Sequence, residues 1–268
     1  MTNIVIIGGG PAGYEAALVA VAHGGDVTVI ESDGIGGACV LYDCVPSKTF
    51  IASTGIRTET RRAVDLGIEL HFERVEIDVE RINARVKDLA TAQSADIRAR
   101  LAGEGVRIIR GRATLAPTAS GMAHHEVNVV TPSGGEQSFE ADVVLVATGA
   151  SPRVLESAQP DGEKILTWRQ LYDLEELPTH LVVVGSGVTG AEFVHAYTEL
   201  GVPVTVVASR DRVLPYEDAD AARVLEASDR PSAICCLSDV IAFGVLDAVE
   251  DAFHKMHAGE VLRSVVVL

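Results

Sequence analysis

The chain has 268 residues, enough for two ordinary domains, and 47% of them are hydrophobic and 22% charged, as in a soluble globular protein. Its formal net charge of −16 argues against nucleic acid and anionic membranes as partners, so any phosphate group must be bound locally by helix N-termini or single arginines. No apolar run reaches the roughly 18–20 residues of a membrane span, and the N-terminus does not resemble a signal peptide. Since four cysteines occur without a secretion signal, we expect a cytoplasmic protein whose cysteines have redox or packing roles.

The N-terminal stretch has the pattern of a dinucleotide-binding βαβ unit. An apolar run at Asn3–Ile7 predicts a buried parallel strand. Residues 14–23 predict a helix, which ends at Gly24-Gly25, and residues 27–30 predict a second strand. Between the first strand and the helix the glycines fit GxGxxG, and Glu31 stands where a carboxylate accepts a hydrogen bond from a ribose hydroxyl. A glycine-rich turn without a nucleotide is the weaker alternative. The predicted cofactor-binding residues are Gly8, Gly10, Pro11, Ala12, Gly13 and Glu31.

Two cysteines, Cys39 and Cys44, then lie between a glycine pair, Gly36-Gly37, and Pro46-Ser47-Lys48, which predicts the first turn of a helix. A disulfide needs its Cα atoms about 4.4–6.8 Å apart. Positions i and i+5 of a regular helix are roughly 8–9 Å apart, so the pair can close only in a distorted turn entering the helix. The helix N-terminus would favour a thiolate at Cys44 and redox exchange. On spacing alone, two small residues packed in a core remain an equal alternative.

The next 120 residues predict two helices and several strands. The helices cover 49–62 and 77–103, and a linker at 157–164 precedes a short helix at 168–174. A buried strand at 142–147 ends in Thr148-Gly149, small enough for a ligand to approach the backbone. Adjacent histidines, His124-His125, have no third ligand nearby, so we predict no metal site. A small antiparallel meander is predicted from strands at 106–109, 111–113, 127–130 and 137–139.

The opening pattern then occurs a second time, at a constant offset. Gly185, Gly187 and Gly190 follow Gly8, Gly10 and Gly13 by 177 positions each, again between an apolar strand and a helix. Such a repeat predicts two dinucleotide-binding βαβ units, hence an α/β protein with two Rossmann-like domains, the first carrying the meander. The position equivalent to Glu31 is Ala208. Because alanine cannot accept a ribose hydrogen bond while Arg210 could pair with a 2′-phosphate, NADPH is favoured over NADH.

Together these motifs resemble the flavoprotein disulfide reductase family from Thr2 to about Ala227: two GxGxxG sequences, Cys-x4-Cys-x2-Ser-Lys, and the Ala-Thr-Gly ending at Gly149. The sequence of the cysteine segment is more similar to that of actinobacterial NAD(P)H:quinone reductases than to that of lipoamide dehydrogenases, which usually carry Asn and Gly in place of Leu41 and Asp43. The resemblance implies an FAD-binding domain at 1–150 and an NAD(P)-binding domain at 151–268. It also implies a flavin-dependent NAD(P)H oxidoreductase whose acceptor is a disulfide or a quinone.

The resemblance further assigns roles to individual residues. Cys44 would face the flavin and Cys39 would attack the substrate, while Lys48 would pair with Glu192 near the flavin N5. Hydride would pass from the nicotinamide to the flavin and then to the Cys39–Cys44 disulfide or to a quinone. The remaining implied cofactor contacts are Gly37, Gly111, Ala113, Thr148, Gly149, Gly185, Gly187, Gly190 and Arg210.

After Ala227 the similarity changes. Residues 229–246 resemble the ligand-binding domain of LacI-type repressors, and residues 249–268 the C-terminal end of zinc-type alcohol dehydrogenases, so a seam is expected near Ser228. We expect no metal at His254 and His257 and buried packing at Cys235-Cys236. Periodicity predicts helices at 217–228 and 239–257 and strands at 233–237 and 262–268, which would complete a four-stranded parallel sheet.

No stretch within the 268 residues resembles the family's dimerisation domain with its His–Glu base pair, or the Gly-Asp segment that holds the flavin from its far side. The main alternative to an oxidoreductase is therefore a non-catalytic dinucleotide-binding fragment. A small-ligand sensor built on the repressor-like segment is a third, weaker possibility, because most of that fold is missing.

Overall fold

The computed structural model describes residues 1–69, 75–117, 124–156, 158–209, 213–214 and 265–267. The chain divides into two compact units, the first made of residues 1–46 and 87–151 and the second of residues 47–86 and 152–268. The assignment of 1–150 to FAD and 151–268 to NAD(P) stays a prediction.

The described elements in chain order are β1 (Asn3–Ile7), α1 (Pro11–Ala22), β2 (Asp26–Glu31), α2 (Gly37–Leu41), α3 (Cys44–Asp65), α4 (Val79–Gly103), β3 (Arg107–Arg110), β4 (Arg112–Leu115), β5 (His125–Val130), β6 (Glu136–Ala141), β7 (Val143–Val146), β8 (Ile165–Thr167), a 3-10 helix (Trp168–Asp173), β9 (Leu181–Val184), α5 (Val188–Glu199), β10 (Val204–Val207) and β11 (Val265–Val267).

The first unit is built on a parallel sheet with the strand order β3-β2-β1-β7. The apolar run of β1 is buried at Val5–Ile7, as expected for a central strand covered on both faces. Helix α1 begins with Pro11 at its first position and ends before Gly24, whose φ of +82° suits a glycine after a helix. Ala17 of α1 packs with Val29 of β2 in the core of this unit.

Strand β3 corrects the predicted meander. Residues 107–110 pair in parallel with β2, in the register Ile30 to Ile109, and not with the antiparallel strands. The reason is topological, because a strand that follows a long crossover helix such as α4 returns parallel to its neighbour. The antiparallel sheet therefore has three strands in the order β4-β5-β6.

Strand β7 also differs from expectation. It was predicted to be buried, but it is the outer strand of the described sheet, and Val143, Leu145 and Val146 are 48%, 37% and 61% exposed. Apolar content reveals a strand but does not tell whether a neighbour lies on both sides of it.

The second unit contains a four-stranded parallel sheet with the order β10-β9-β11-β8. It differs from the predicted sheet because β8, for which no strand is predicted, takes part in it, while the strand predicted at 233–237 lies outside the described residues. Val265–Val267 falls inside the strand predicted at 262–268. The helices and the strand predicted within 217–257 lie outside the described residues.

The glycine turn yields a stability prediction. A Cβ atom added to Gly13 would lie 1.9 Å from the backbone oxygen of Gly8, so Gly13→Ala must force the helix away from the turn. We expect a loss of more than about 3 kcal/mol, or failure to fold. The matched control is Gly55→Ala, also within a helix, where nothing lies within 4 Å of the added atom. It should stabilise α3 by up to about 1 kcal/mol. Urea unfolding followed by far-UV circular dichroism measures both, and equal effects would contradict the packing argument.

Candidate cofactor-binding and redox site

The first glycine turn presents an open helix start, as the fingerprint predicts. Gly8 has φ +109° and its N–H donates to Ile30 O at 2.8 Å, which ties the turn to the second strand. Gly10 caps α1 with extended backbone and no side chain in the way. Pro11 and Ala12 are exposed in the first turn of the helix. Backbone N–H groups at such a helix start bind phosphate groups.

Glu31 lies at the end of β2, beside this turn. Its carboxylate accepts hydrogen bonds from the N–H of Gly9 at 2.6 Å and of Asp33 at 2.7 Å. A carboxylate has about four acceptor positions, so this one can still accept from a ribose hydroxyl. The backbone bonds fix its orientation toward the glycine turn.

The cysteine segment is attached to the same turn through backbone contacts. Gly36 N–H donates to Gly9 O at 2.8 Å. Gly36 and Gly37 have φ of +101° and +58°, in the region that favours glycine. A Cβ atom on Gly37 would come within 2.7 Å of Gly10 Cα, so the two backbones approach more closely than any other residue type permits.

The two cysteines are not in one regular helix. Cys39 belongs to α2, Cys44 is the first residue of α3, and Tyr42-Asp43 breaks the helix between them. This is the distorted turn that the spacing requires for a disulfide. Cys39 is half-buried and Cys44 is exposed, and the structure contains no disulfide between them. Their redox role stays a prediction.

Lys48 follows Cys44 by four residues in α3, and its Nζ forms an ion pair with Oε1 of Glu192 in α5. The Glu192 side chain is only 5% exposed and that of Lys48 is 49% exposed. A buried carboxylate needs a charged partner, and this lysine supplies it. The two residues that the sequence assigns to the flavin N5 are thus in contact, 144 positions apart in the chain.

Sequence reasoning missed the aromatic cluster beside this pair. Phe50 of α3 contacts Tyr172 and Tyr197, with ring centroids 6.1 and 5.5 Å apart, and Tyr172 contacts Phe193 at 5.8 Å. Phe50, Phe193 and Tyr197 are almost fully buried. Phe50 follows Lys48 by two residues and Phe193 directly follows Glu192, so the contact of Phe50 with Tyr197 packs together the two helices that carry the pair. The sequence did contain a signal for this cluster, because an aromatic residue lies within two positions of Lys48 and of Glu192.

Tyr14 of α1 is a second residue that the motifs did not indicate. Burial raises the pKa of its phenol, and the negative charges of Glu15 and of a Cys39 thiolate raise it further. The phenol therefore stays protonated at neutral pH and lies close enough to Cys39 to interact with its charge. Its position directly after the last fingerprint glycine was the only hint in the sequence.

The remaining predicted contacts of the first unit lie on β4 and after β7. Gly111 is buried, and its N–H donates to Glu31 O at 2.9 Å, so a contact with adenine would use other backbone atoms. Ala113 is half-buried in β4. Thr148 and Gly149 are exposed, and nothing lies within 4 Å of a Cβ atom added to Gly149. The site thus keeps open backbone where a ligand is expected.

The second glycine turn repeats the backbone geometry of the first. Gly185 has φ +122°, and its N–H donates to Val207 O at 2.8 Å, as Gly8 does to Ile30. Gly187 caps α5 with φ −76° and ψ −177°, against −72° and −177° at Gly10. Gly190 is buried in the first turn of α5. Ala208 is exposed directly after β10, and Arg210 lies outside the described residues.

These features fit two dinucleotides: two open helix starts, an oriented carboxylate at the first, and side-chain-free backbone at Gly149 and Gly187. Among the described residues no group of three or more His, Cys, Asp or Glu could hold a metal ion. His124 instead lies 2.9 Å from an Asp142 oxygen. No described helix is both long and apolar enough to cross a bilayer.

Comparison with known proteins agrees with the geometry. Mycobacterium tuberculosis has a protein named NAD(P)H dehydrogenase (quinone) that is 67% identical over 231 residues, which are 85% of this chain and 47% of the relative. A dihydrolipoyl dehydrogenase of Bacillus subtilis is 32% identical, over 84% of this chain and 47% of the relative. The crystal structure of LpdA from Mycobacterium tuberculosis matches with a TM-score of 0.78 and 66% identity, covering 84% of this chain and 49% of that one.

The chain thus spans about half the length of the curated relatives it matches. The family described as pyridine nucleotide-disulphide oxidoreductase matches residues 2–231, which include both glycine turns, both cysteines of the Cys-x4-Cys segment and the Lys48–Glu192 pair. The chain belongs to the pyridine nucleotide-disulphide oxidoreductase family.

Proposed function

We propose that the chain is the FAD- and NAD(P)H-binding part of a cytoplasmic oxidoreductase that reduces a quinone or a disulfide. The observation that carries this proposal is the Lys48–Glu192 ion pair in a chain that also has two glycine turns of the same geometry. A nucleotide-binding module alone would not need a buried carboxylate held by a lysine one turn after a cysteine.

Bound FAD would supply the hydride chemistry, which no side chain offers. The residues named above would hold it: the first glycine turn its phosphates, Glu31 its ribose, and the backbone near Gly149 its isoalloxazine end. Glu192 would orient the amine of Lys48 toward the flavin. Cys39 and Cys44 would interconvert between a disulfide and two thiols by taking up or giving two electrons and two protons.

Quinone is the acceptor we favour for these 268 residues. The mycobacterial relative at 67% identity is named for quinone reduction. A dithiol substrate also needs a general base near its thiol. Hydride transfer to a quinone does not need that base.

We infer that the second turn binds NADPH in preference to NADH. Ala208 stands where Glu31 stands in the first unit, directly after the equivalent strand, so the ribose 2′ position meets no acceptor. Arg210, two residues later, supplies a charge that could pair with a 2′-phosphate.

We also infer that residues from about 228 onward come from a different source. The family match ends at residue 231, close to the change of similarity near Ser228. The pairing of Val265–Val267 with both β8 and β9 is consistent with a tail that completes the second sheet regardless of its origin. The LacI-like and alcohol-dehydrogenase-like resemblances of this tail remain proposals.

The assay that tests the function uses the 268-residue chain with added FAD, comparing a soluble quinone with lipoamide and NADPH with NADH. A yellow protein with a bound-flavin spectrum and quinone turnover is expected, with lipoamide reduced more slowly than the quinone. A colourless protein that binds nucleotide without turnover would instead support the non-catalytic alternative. Lipoamide reduction at quinone rates would contradict the choice of acceptor.

The redox pair is tested by counting thiols in the unfolded protein before and after mild reduction. Reduction should reveal two additional thiols, because Cys39 and Cys44 form a disulfide in the oxidised chain. Cys39→Ser/Cys44→Ser should lose that increase, while the control Cys235→Ser/Cys236→Ser should retain it. An unchanged count in the parent chain would exclude a disulfide.

The ion pair predicts an asymmetry between two variants. Lys48→Met leaves the buried Glu192 carboxylate without its partner, so we expect a loss of about 1–3 kcal/mol, below the value for a fully buried pair because Lys48 is half exposed. Glu192→Gln leaves a lysine that water can solvate and should cost less than about 1 kcal/mol. The double variant should be more stable than Lys48→Met alone. Urea unfolding of the three variants gives the order of their free energies of unfolding. If only the aliphatic part of Lys48 contributed to stability, this order would not be observed.

A further inference from the structure

A cavity of about 460 Å³ lies in the second unit, and none of the residues assigned to the cofactors lines it. It is bounded by α3, by the first turns of α4 and by residues 75–78, and it opens to solvent. Its volume is within the range of small-molecule sites, about 300–1,000 Å³. Most of its wall surface is apolar, and Ile56, Ile77, Ile82 and Leu200 contribute to it. Neither Lys48 nor Glu192 lines it.

Three arginines line the same cavity: Arg57 from α3 and Arg81 and Arg85 from α4. Within the described part of the chain, none of them forms an ion pair with a carboxylate. Arg57 donates through Nη1 to the backbone oxygen of Glu199 at 2.7 Å, and Arg85 donates through Nη1 to Ser53 Oγ at 3.1 Å. Both guanidinium groups are thus oriented by neutral hydrogen-bond acceptors.

Two carboxylates, Glu76 and Asp78, also line the cavity. Oδ1 of Asp78 accepts the backbone N–H of Arg81 at 2.9 Å, so this carboxylate caps the start of α4. Three positive groups therefore face two negative ones, and one of the two is engaged by the helix. Positive charge at one cavity is unexpected in a chain whose net charge is −16.

Arg81 and Arg85 are four positions apart on α4, where like charges repel by about 0.2–0.5 kcal/mol. Burial, and to a lesser extent the nearby Arg61, lower the pKa of Arg57, while the Glu199 carboxylate acts in the opposite direction. A bound anion would relieve this repulsion. Guanidinium groups bind carboxylates and phosphates alike through paired hydrogen bonds, and the apolar part of the wall favours an anion that also has an apolar body.

We propose that this cavity binds a small monocarboxylate with an apolar body, its carboxylate on the arginines of α4 and its body on the isoleucines and Leu200. The proposal does not depend on the cofactors, since it uses only residues of the cavity.

Octanoate is a suitable probe, measured by isothermal titration calorimetry on the 268-residue chain. For a ligand of this size we expect a Kd of about 0.1–1 mM. Octanol, which lacks the charge, should bind at least about tenfold more weakly, and added NADPH should not change octanoate binding. Inorganic phosphate should not compete.

Arg81→Gln/Arg85→Gln should weaken octanoate at least about tenfold, the loss of one charge-assisted interaction. Arg98→Gln/Arg100→Gln is the matched control, since it removes two exposed arginines of the same helix outside the cavity and should leave the affinity unchanged. Ala52→Leu fills the cavity from an exposed position of α3 without changing charge, and it should weaken octanoate as well. Far-UV circular dichroism verifies that each variant is folded.

Four results would overturn the proposal: no binding at millimolar octanoate, equal affinity for octanol, competition by NADPH, or equal weakening in the control and the cavity variants. If Arg81→Gln/Arg85→Gln does not fold, Ala52→Leu decides, because unchanged octanoate affinity in that variant would place the ligand elsewhere.

Discussion

The candidate redox site depends on the close approach of two glycine backbones. Gly36 N–H donates to Gly9 O at 2.8 Å, and Gly37 passes so near Gly10 that a Cβ atom would lie 2.7 Å from its Cα. The cysteine segment is therefore attached to the cofactor turn itself, through main-chain atoms. Substitutions elsewhere on the surface leave this arrangement unchanged, whereas any side chain at Gly37 forces the two backbones apart. The glycine turn proposed to bind the cofactor phosphates thus also holds the cysteine segment in place.

A second constraint acts in the other unit, where Glu192 is buried in α5. A carboxylate with 5% exposure requires a cation, and Lys48 meets this need from α3. The aromatic contacts of Phe50 with Tyr172 and Tyr197 pack α3 onto the same unit. The two side chains differ in how exposed they are to water. The buried Glu192 carboxylate needs Lys48 for stability, whereas Lys48 is half exposed and remains available to interact with a ligand.

Much of this could be predicted because the repeat constrains the backbone. The spacing of Gly8, Gly10 and Gly13 allows one strand–turn–helix geometry, and its copy at Gly185 has the same hydrogen bond and cap angles. The pairing of strands in a sheet could not be predicted in the same way, because the sequences of β3 and β7 do not specify which strands lie beside them. β8 is only three residues long, too short for any periodicity. The aromatic cluster and Tyr14 were missed because apolar side chains in helices predict burial without indicating which site they support.

The two turns also show where cofactor choice resides in such a protein. Their main chains agree to within a few degrees at the helix caps, so the turns cannot by themselves distinguish two dinucleotides. The difference lies at the end of the second strand of each unit, Glu31 in one and Ala208 in the other. Glu31 is fixed by the N–H groups of Gly9 and Asp33 and can accept from a ribose, whereas Ala208 offers no acceptor. One repeated backbone thus offers an open helix start twice, and the proposed difference in cofactor rests on the side chain at the end of the second strand of each copy.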